Sequence, residues 1–97
     1  MNEKIDVYSF GAVLLELATG RKANQGDEYT SLAQWAWQCV EEGKLIEESL
    51  DEKVMKPENV EEMSRVFRIG LLCTATTPSK RPTMKEVVNL LVPGARL

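Results

Sequence analysis

Apolar residues along the chain recur with a helical period in four segments, and these predict helices over about 6–19, 31–42, 59–73 and 83–92. In the first, Val7, Tyr8, Phe10, Val13, Leu14, Leu15 and Leu17 spread over most of a wheel drawn at about 100° per residue, leaving Ser9 and Glu16 on a narrow polar strip. A surface helix would leave half its circle polar, so this pattern suits the interior of something larger. Asp6 is expected to cap its start and Gly20 to end it in a left-handed conformation, with Arg21 and Lys22 at the negative end of the helix dipole.

The second helix opens on Ser31-Leu32-Ala33-Gln34, a capping box, and places Leu32, Trp35, Ala36, Cys39 and Val40 on one face before Gly43. Trp37 lies off that face. It is expected either to fold against segment 44–55 or to serve as a docking contact for another protein. The third helix carries a stripe of Val60, Met63, Phe67 and Leu71, with Glu61 and Arg65 opposite it at ion-pair spacing. A second capping box, Thr83-Met84-Lys85-Glu86, starts the fourth, whose apolar face is Met84, Val87, Val88 and Leu91.

Between these segments, 22–30 is polar and aperiodic and reads as an exposed loop. Segment 44–56 is a loop with one short turn near 47–50. Pro78 and Pro82 prevent 74–82 from continuing the third helix. No two-residue alternation is long enough for a strand, so the fold class is all-α.

Composition narrows the chemistry. The 97 residues are 43% hydrophobic and 28% charged with a net charge of −3, the balance of a soluble globular chain without the basic field that nucleic acid requires. The longest apolar run, 12–15, falls far short of the roughly 20 residues of a membrane helix, and no signal peptide opens the chain. With no histidine, imidazole catalysis and His-containing zinc sites are excluded, and the six glycines form no phosphate-binding loop. Cys39 and Cys73 lie in apolar helical faces without metal-ligand spacing and are expected to be buried thiols, which fits a reducing cytosol. The acidic pairs Glu41-Glu42, Glu47-Glu48 and Glu61-Glu62 read as solvated faces.

Three stretches converge on one family. Asp6-Val7-Tyr8-Ser9-Phe10-Gly11, Leu72-Cys73 and Pro78-Ser79-Lys80-Arg81-Pro82-Thr83-Met84 together resemble the C-terminal third of a eukaryotic protein kinase domain. Tyr8 where many kinases have Trp, the Leu-Cys-x-x-x-x-Pro-x-x-Arg-Pro-x-Met spacing and the run 31–37 look most like plant leucine-rich-repeat receptor-like serine/threonine kinases. The fold this implies is an incomplete domain, four main helices corresponding to the C-terminal half of a kinase C-lobe.

The resemblance also implies roles for matching positions. Asp6 would accept hydrogen bonds from backbone amides of a catalytic loop, Gly11 would allow another segment to pack closely, and Arg81 would form a buried ion pair with a glutamate closing the activation segment. The parent would use ATP and Mg²⁺ to phosphorylate protein hydroxyls from the cytoplasmic side of the plasma membrane. The glycine-rich loop, strand lysine, catalytic-loop aspartate and Asp-Phe-Gly aspartate of such an enzyme do not occur in these residues. No catalytic, cofactor-binding or metal-binding residue is therefore expected in this chain, and no ATP binding by it alone. Its expected partner is the remainder of a kinase domain; the alternative is a stand-alone, non-catalytic module that docks a kinase or its substrate through Trp37. Without a partner, Arg81 is expected to be orphaned and the chain marginally stable or associating.

Overall fold

The computed structural model describes residues 2–22, 31–53 and 55–94, so most of the expected 22–30 loop lies outside the described residues. Among these residues there are four helices: α1 (Glu3–Thr19), α2 (Leu32–Glu41), α3 (Val60–Cys73) and α4 (Met84–Leu91). Short 3₁₀ turns, Ile46–Ser49 and Pro78–Lys80, interrupt the connections, and there is no strand among the described residues. The all-α expectation is met.

Helix α1 starts three residues before the expected Asp6. Asn2 is the cap: its backbone is extended and its side-chain oxygen accepts the Lys4 N–H at 2.9 Å. Glu3, Lys4 and Ile5 are compatible with a first turn, so the better-placed Asn2 cap takes the helix start. Asp6 becomes an exposed first-turn carboxylate near the positive end of the helix dipole. At the other end Gly20 adopts φ 73° and donates to Glu16 O at 2.9 Å, the left-handed stop the sequence predicts.

Helices α1 and α3 cross at their glycines. A Cβ added at Gly11 would lie 2.5 Å from Cys73 Cβ, and one at Gly70 would lie 2.8 Å from Leu15 Cδ2. The backbones thus approach closely enough to divide the core in two. On one side Leu15 and Ala18 pack with Leu32, Ala33, Ala36, Leu50, Phe67 and Leu71; on the other Val7 and Leu14 pack with Ile69, Cys73 and Val87.

The apolar circumference of α1 is only partly used. Ile5, Val13 and Leu17 stay exposed, Leu17 at 67%, because α2 and α3 cover a single side. Two other faces are narrower than predicted. In α2 the buried set is Leu32, Ala33, Ala36 and Cys39 while Val40 faces out, and in α4 Val87 is buried while Val88 and Leu91 are exposed.

Arg65 corrects a further expectation. Instead of pairing with Glu61, its Nη2 donates to Leu90 O at 2.6 Å and Val92 O at 2.7 Å, closing the carbonyl end of α4. Charge-assisted bonds to unsatisfied helix-end carbonyls are stronger than an exposed ion pair on one helix, so this arrangement wins.

Candidate functional site: the Arg81 cavity

A cavity of about 630 Å³ opens where α1, α2 and the turn after α3 meet, lined among others by Tyr8, Gln34, Trp37, Thr74, Thr76 and Arg81. The helices supply its walls by register. Trp37 leaves α2 one position past the buried Ala36, and Tyr8 leaves α1 one position past the buried Val7. Both rings are half-buried.

Arg81 is placed by the prolines. The 3₁₀ turn over Pro78–Lys80 closes with the Arg81 N–H donating to Pro78 O at 3.0 Å, which turns the side chain back toward α1. Its Nε donates to Ala75 O at 2.8 Å and its Nη1 to Lys4 O at 3.0 Å, while the guanidinium lies 4.7 Å from the centre of the Tyr8 ring. Lys4 Nζ returns a bond to Arg81 O at 2.7 Å, so the turn is clipped to the start of α1 at two points.

The Arg81 guanidinium nonetheless has partners that the sequence does not reveal. Two carbonyls and an aromatic face compensate part of its desolvation, which is why a half-buried guanidinium is tolerated. Carbonyls carry only partial charge, however. An exposed ion pair joins Lys44 and Glu42 at 3.5 Å, but among the described residues no carboxylate pairs with Arg81.

Trp37 makes a contact that the sequence does not foresee. Its indole N–H crosses to the end of α3 and donates to Thr74 Oγ1 at 3.2 Å, and that hydroxyl donates on to Gly70 O at 2.8 Å. The ring is thereby tied to the helix crossing. Trp35, by contrast, stacks beneath Arg21, whose guanidinium carbon lies 4.1 Å from the ring centre.

Of the residues singled out from sequence, Arg81 lines the cavity with Trp37, Gly11 abuts Thr74 beside it, and Asp6 stands apart on an exposed turn. Thr74 and Lys4 were not foreseen. Neither has a periodic or motif signal, since both act through contacts that form only when distant parts of the chain meet.

Among the described residues two titrations are perturbed. Burial pushes the Cys73 thiol up to about 11, so it stays protonated and a poor nucleophile at neutral pH. Glu86 is held below the usual carboxylate range by the Thr83 backbone N–H first and the Thr83 hydroxyl second, as a closed capping box requires. No group of three metal-ligating side chains occurs among the described residues. The arrangement can hold an anionic side chain against Arg81; it presents no nucleophile with a base.

Comparison with known proteins agrees with this geometry. Residues 1–91 match the protein tyrosine and serine/threonine kinase family. The L-type lectin-domain containing receptor kinase VIII.2 of Arabidopsis thaliana is 43% identical over 93% of this chain, which spans 14% of that protein. Receptor-like protein kinase HAIKU2 of the same plant is 41% identical over 94% of the chain, here 10% of the relative. Leucine-rich-repeat receptor-like kinases are among the other relatives, at 42% identity in one case. A solved structure, the pseudokinase domain of BIR2, an immune regulator of the RLK/Pelle family, superposes with a TM-score of 0.80 at 38% identity, covering 93% of this chain and 27% of its own. The chain thus spans a small part of each relative's length. It belongs to the protein kinase family, as the helical C-lobe portion of a plant receptor-like kinase domain.

Proposed function

We propose that this segment is the structural base of a serine/threonine phosphoryl-transfer domain and has no transfer activity by itself. The observation that carries the reading is Arg81: a half-buried guanidinium held by two carbonyls and Tyr8 and facing a cavity, with no ion pair to a carboxylate among the described residues. A positioned but charge-unbalanced arginine is what remains when its anionic partner belongs to another segment. In the whole domain Arg81 would anchor the glutamate that closes the activation segment, and the exposed Asp6 would accept from the amides of the catalytic loop. The bare side of α1, with Ile5, Val13 and Leu17, would pack beneath that loop.

ATP and Mg²⁺ would be bound by segments bearing the glycine-rich loop and the Asp-Phe-Gly motif, and the domain would face the cytoplasm from a membrane-anchored receptor. No helix among the described residues is long and apolar enough to cross a membrane. One relative of solved structure is a pseudokinase, so membership in the family does not by itself assign catalysis.

Calorimetric titration of the 97-residue chain with Mg·ATP tests the reading. No saturable heat is expected up to roughly millimolar nucleotide. A dissociation constant in the micromolar range would overturn it.

A further inference from the structure

We propose that Thr76 is a phosphoacceptor whose phosphate is held by Arg81 in the same cavity. Thr76 is exposed, as a kinase substrate must be, and it lines the cavity together with Arg81. Peptide geometry fixes how near the two are. The Ala75 carbonyl oxygen accepts from Arg81 Nε at 2.8 Å. In a trans peptide that oxygen lies about 2.8 Å from the following Cα, which puts Thr76 Cα within about 6 Å of the guanidinium.

A threonine phosphate spans the remaining gap. It carries about −1.5 to −2 charge at pH 7 and three acceptor oxygens. Arg81 has five N–H donors, of which Nε and one on Nη1 are engaged by Ala75 O and Lys4 O, leaving three for an anion. The exposed Lys80 adds a second cation one residue away in sequence, while the one carboxylate among the lining residues, Glu41, is exposed and screened by solvent. Thr77 and Ser79 are also exposed, but neither lines the cavity, so the pairing is specific to Thr76.

The group transferred is the γ-phosphoryl of ATP, delivered by a protein kinase. The Thr76 Oγ1–P bond forms as the bond to the bridging oxygen breaks, the electron pair leaves with ADP, and the hydroxyl proton passes to the acting kinase's base. The consequence rests on the proposed role of Arg81: a phosphate in cis would occupy the guanidinium that the activation-segment glutamate requires, and so would act as an off switch. The pairing itself stands on geometry alone, and failure of the ATP titration above would leave it intact.

The full chain carrying phosphothreonine at 76, with a second preparation phosphorylated at Thr77, is titrated by ³¹P NMR. The second phosphate pKa is expected about 1 unit lower at 76 than at 77, the effect of an opposite charge within about 6 Å. Arg81→Gln should abolish the difference, and Arg81→Lys should restore only part of it. Equal values at 76 and 77 in the unsubstituted chain overturn the pairing, and this comparison stands whether or not the Arg81 variants fold. The acceptor step is read by mass spectrometry after incubating the chain with Mg·ATP and an active receptor-like kinase domain. Phosphate at Thr76 supports the proposal, and phosphate at Thr77 or Ser79 without Thr76 refutes it.

Discussion

Gly11→Ala tests the crossing of α1 and α3 most directly. The added methyl would lie 2.5 Å from Cys73 Cβ, 2.9 Å from Thr74 Cγ2 and 3.1 Å from Gly70 O. Cys73 Cβ and Gly70 O are fixed to their backbone, so no rotamer change relieves the overlap and the helices must move apart. Overpacking of this kind costs about 3 kcal/mol at the upper end of its usual range, while alanine in a helix interior recovers about 1 kcal/mol over glycine. The net loss is about 2 kcal/mol. In a domain of this size each kcal/mol shifts Tm by roughly 4–8 °C, so a fall of about 10 °C is expected.

The assay is thermal unfolding of the chain followed by far-UV circular dichroism, with Ser9→Ala, an exposed position on the same helix, as control. The control should change Tm by no more than a few degrees. A Tm for Gly11→Ala equal to or above that of the unsubstituted chain would mean the helices are not in contact at Gly11. The cost of moving the helices should also reach Thr74, whose hydroxyl holds Trp37 at the cavity wall.

The capping box of α4 is tested through Glu86, whose carboxyl should titrate below an ordinary glutamate by carbon-detected NMR. Thr83→Val should raise it only partly, since the backbone N–H at 3.2 Å persists; an unchanged value would show that the hydroxyl plays no part. Because its folded pKa is depressed, Glu86 stabilises the fold above its unfolded pKa, and this contribution disappears as pH falls through the folded value. Cys73 behaves in the opposite sense: with its folded pKa raised from 9.0 to about 11, its contribution is complete below pH 9 and is lost as pH rises toward 11. At pH 8 its alkylation by iodoacetamide should be slower than in urea-unfolded chain by a factor of about ten or more, as thiolate depletion requires; equal rates would contradict its burial.

Much of the fold was legible in the chain itself. Four helical periods, two capping boxes and the Gly20 stop all have local causes, because a side chain reaching its own helix's first amides, or a glycine accepting positive φ, needs no distant partner. The family motif was equally local, being a matter of residue order. The misread positions share a different character. Asn2 took the cap from Asp6 because a competing side chain lay just outside the apolar pattern, and Arg65 left Glu61 because the open carbonyls of α4 came within its reach.

The candidate site divides along the same line. Its components could be named from sequence: an arginine between prolines, a tryptophan off the apolar stripe and a glycine inside a helix. What each touches could not, since the bond from Arg81 to Lys4 O joins positions 77 residues apart and the bond from Trp37 to Thr74 joins positions 37 apart. Sequence alone thus determined the helices, the ends marked by the two capping boxes and Gly20, and the family, all set by interactions within a turn or two of chain. Only tertiary structure decided that Arg81 is clipped to the start of α1, that Trp37 closes on α3, and that one side of α1 stays bare, because burial and long-range hydrogen bonds exist only once two glycines let α1 and α3 cross.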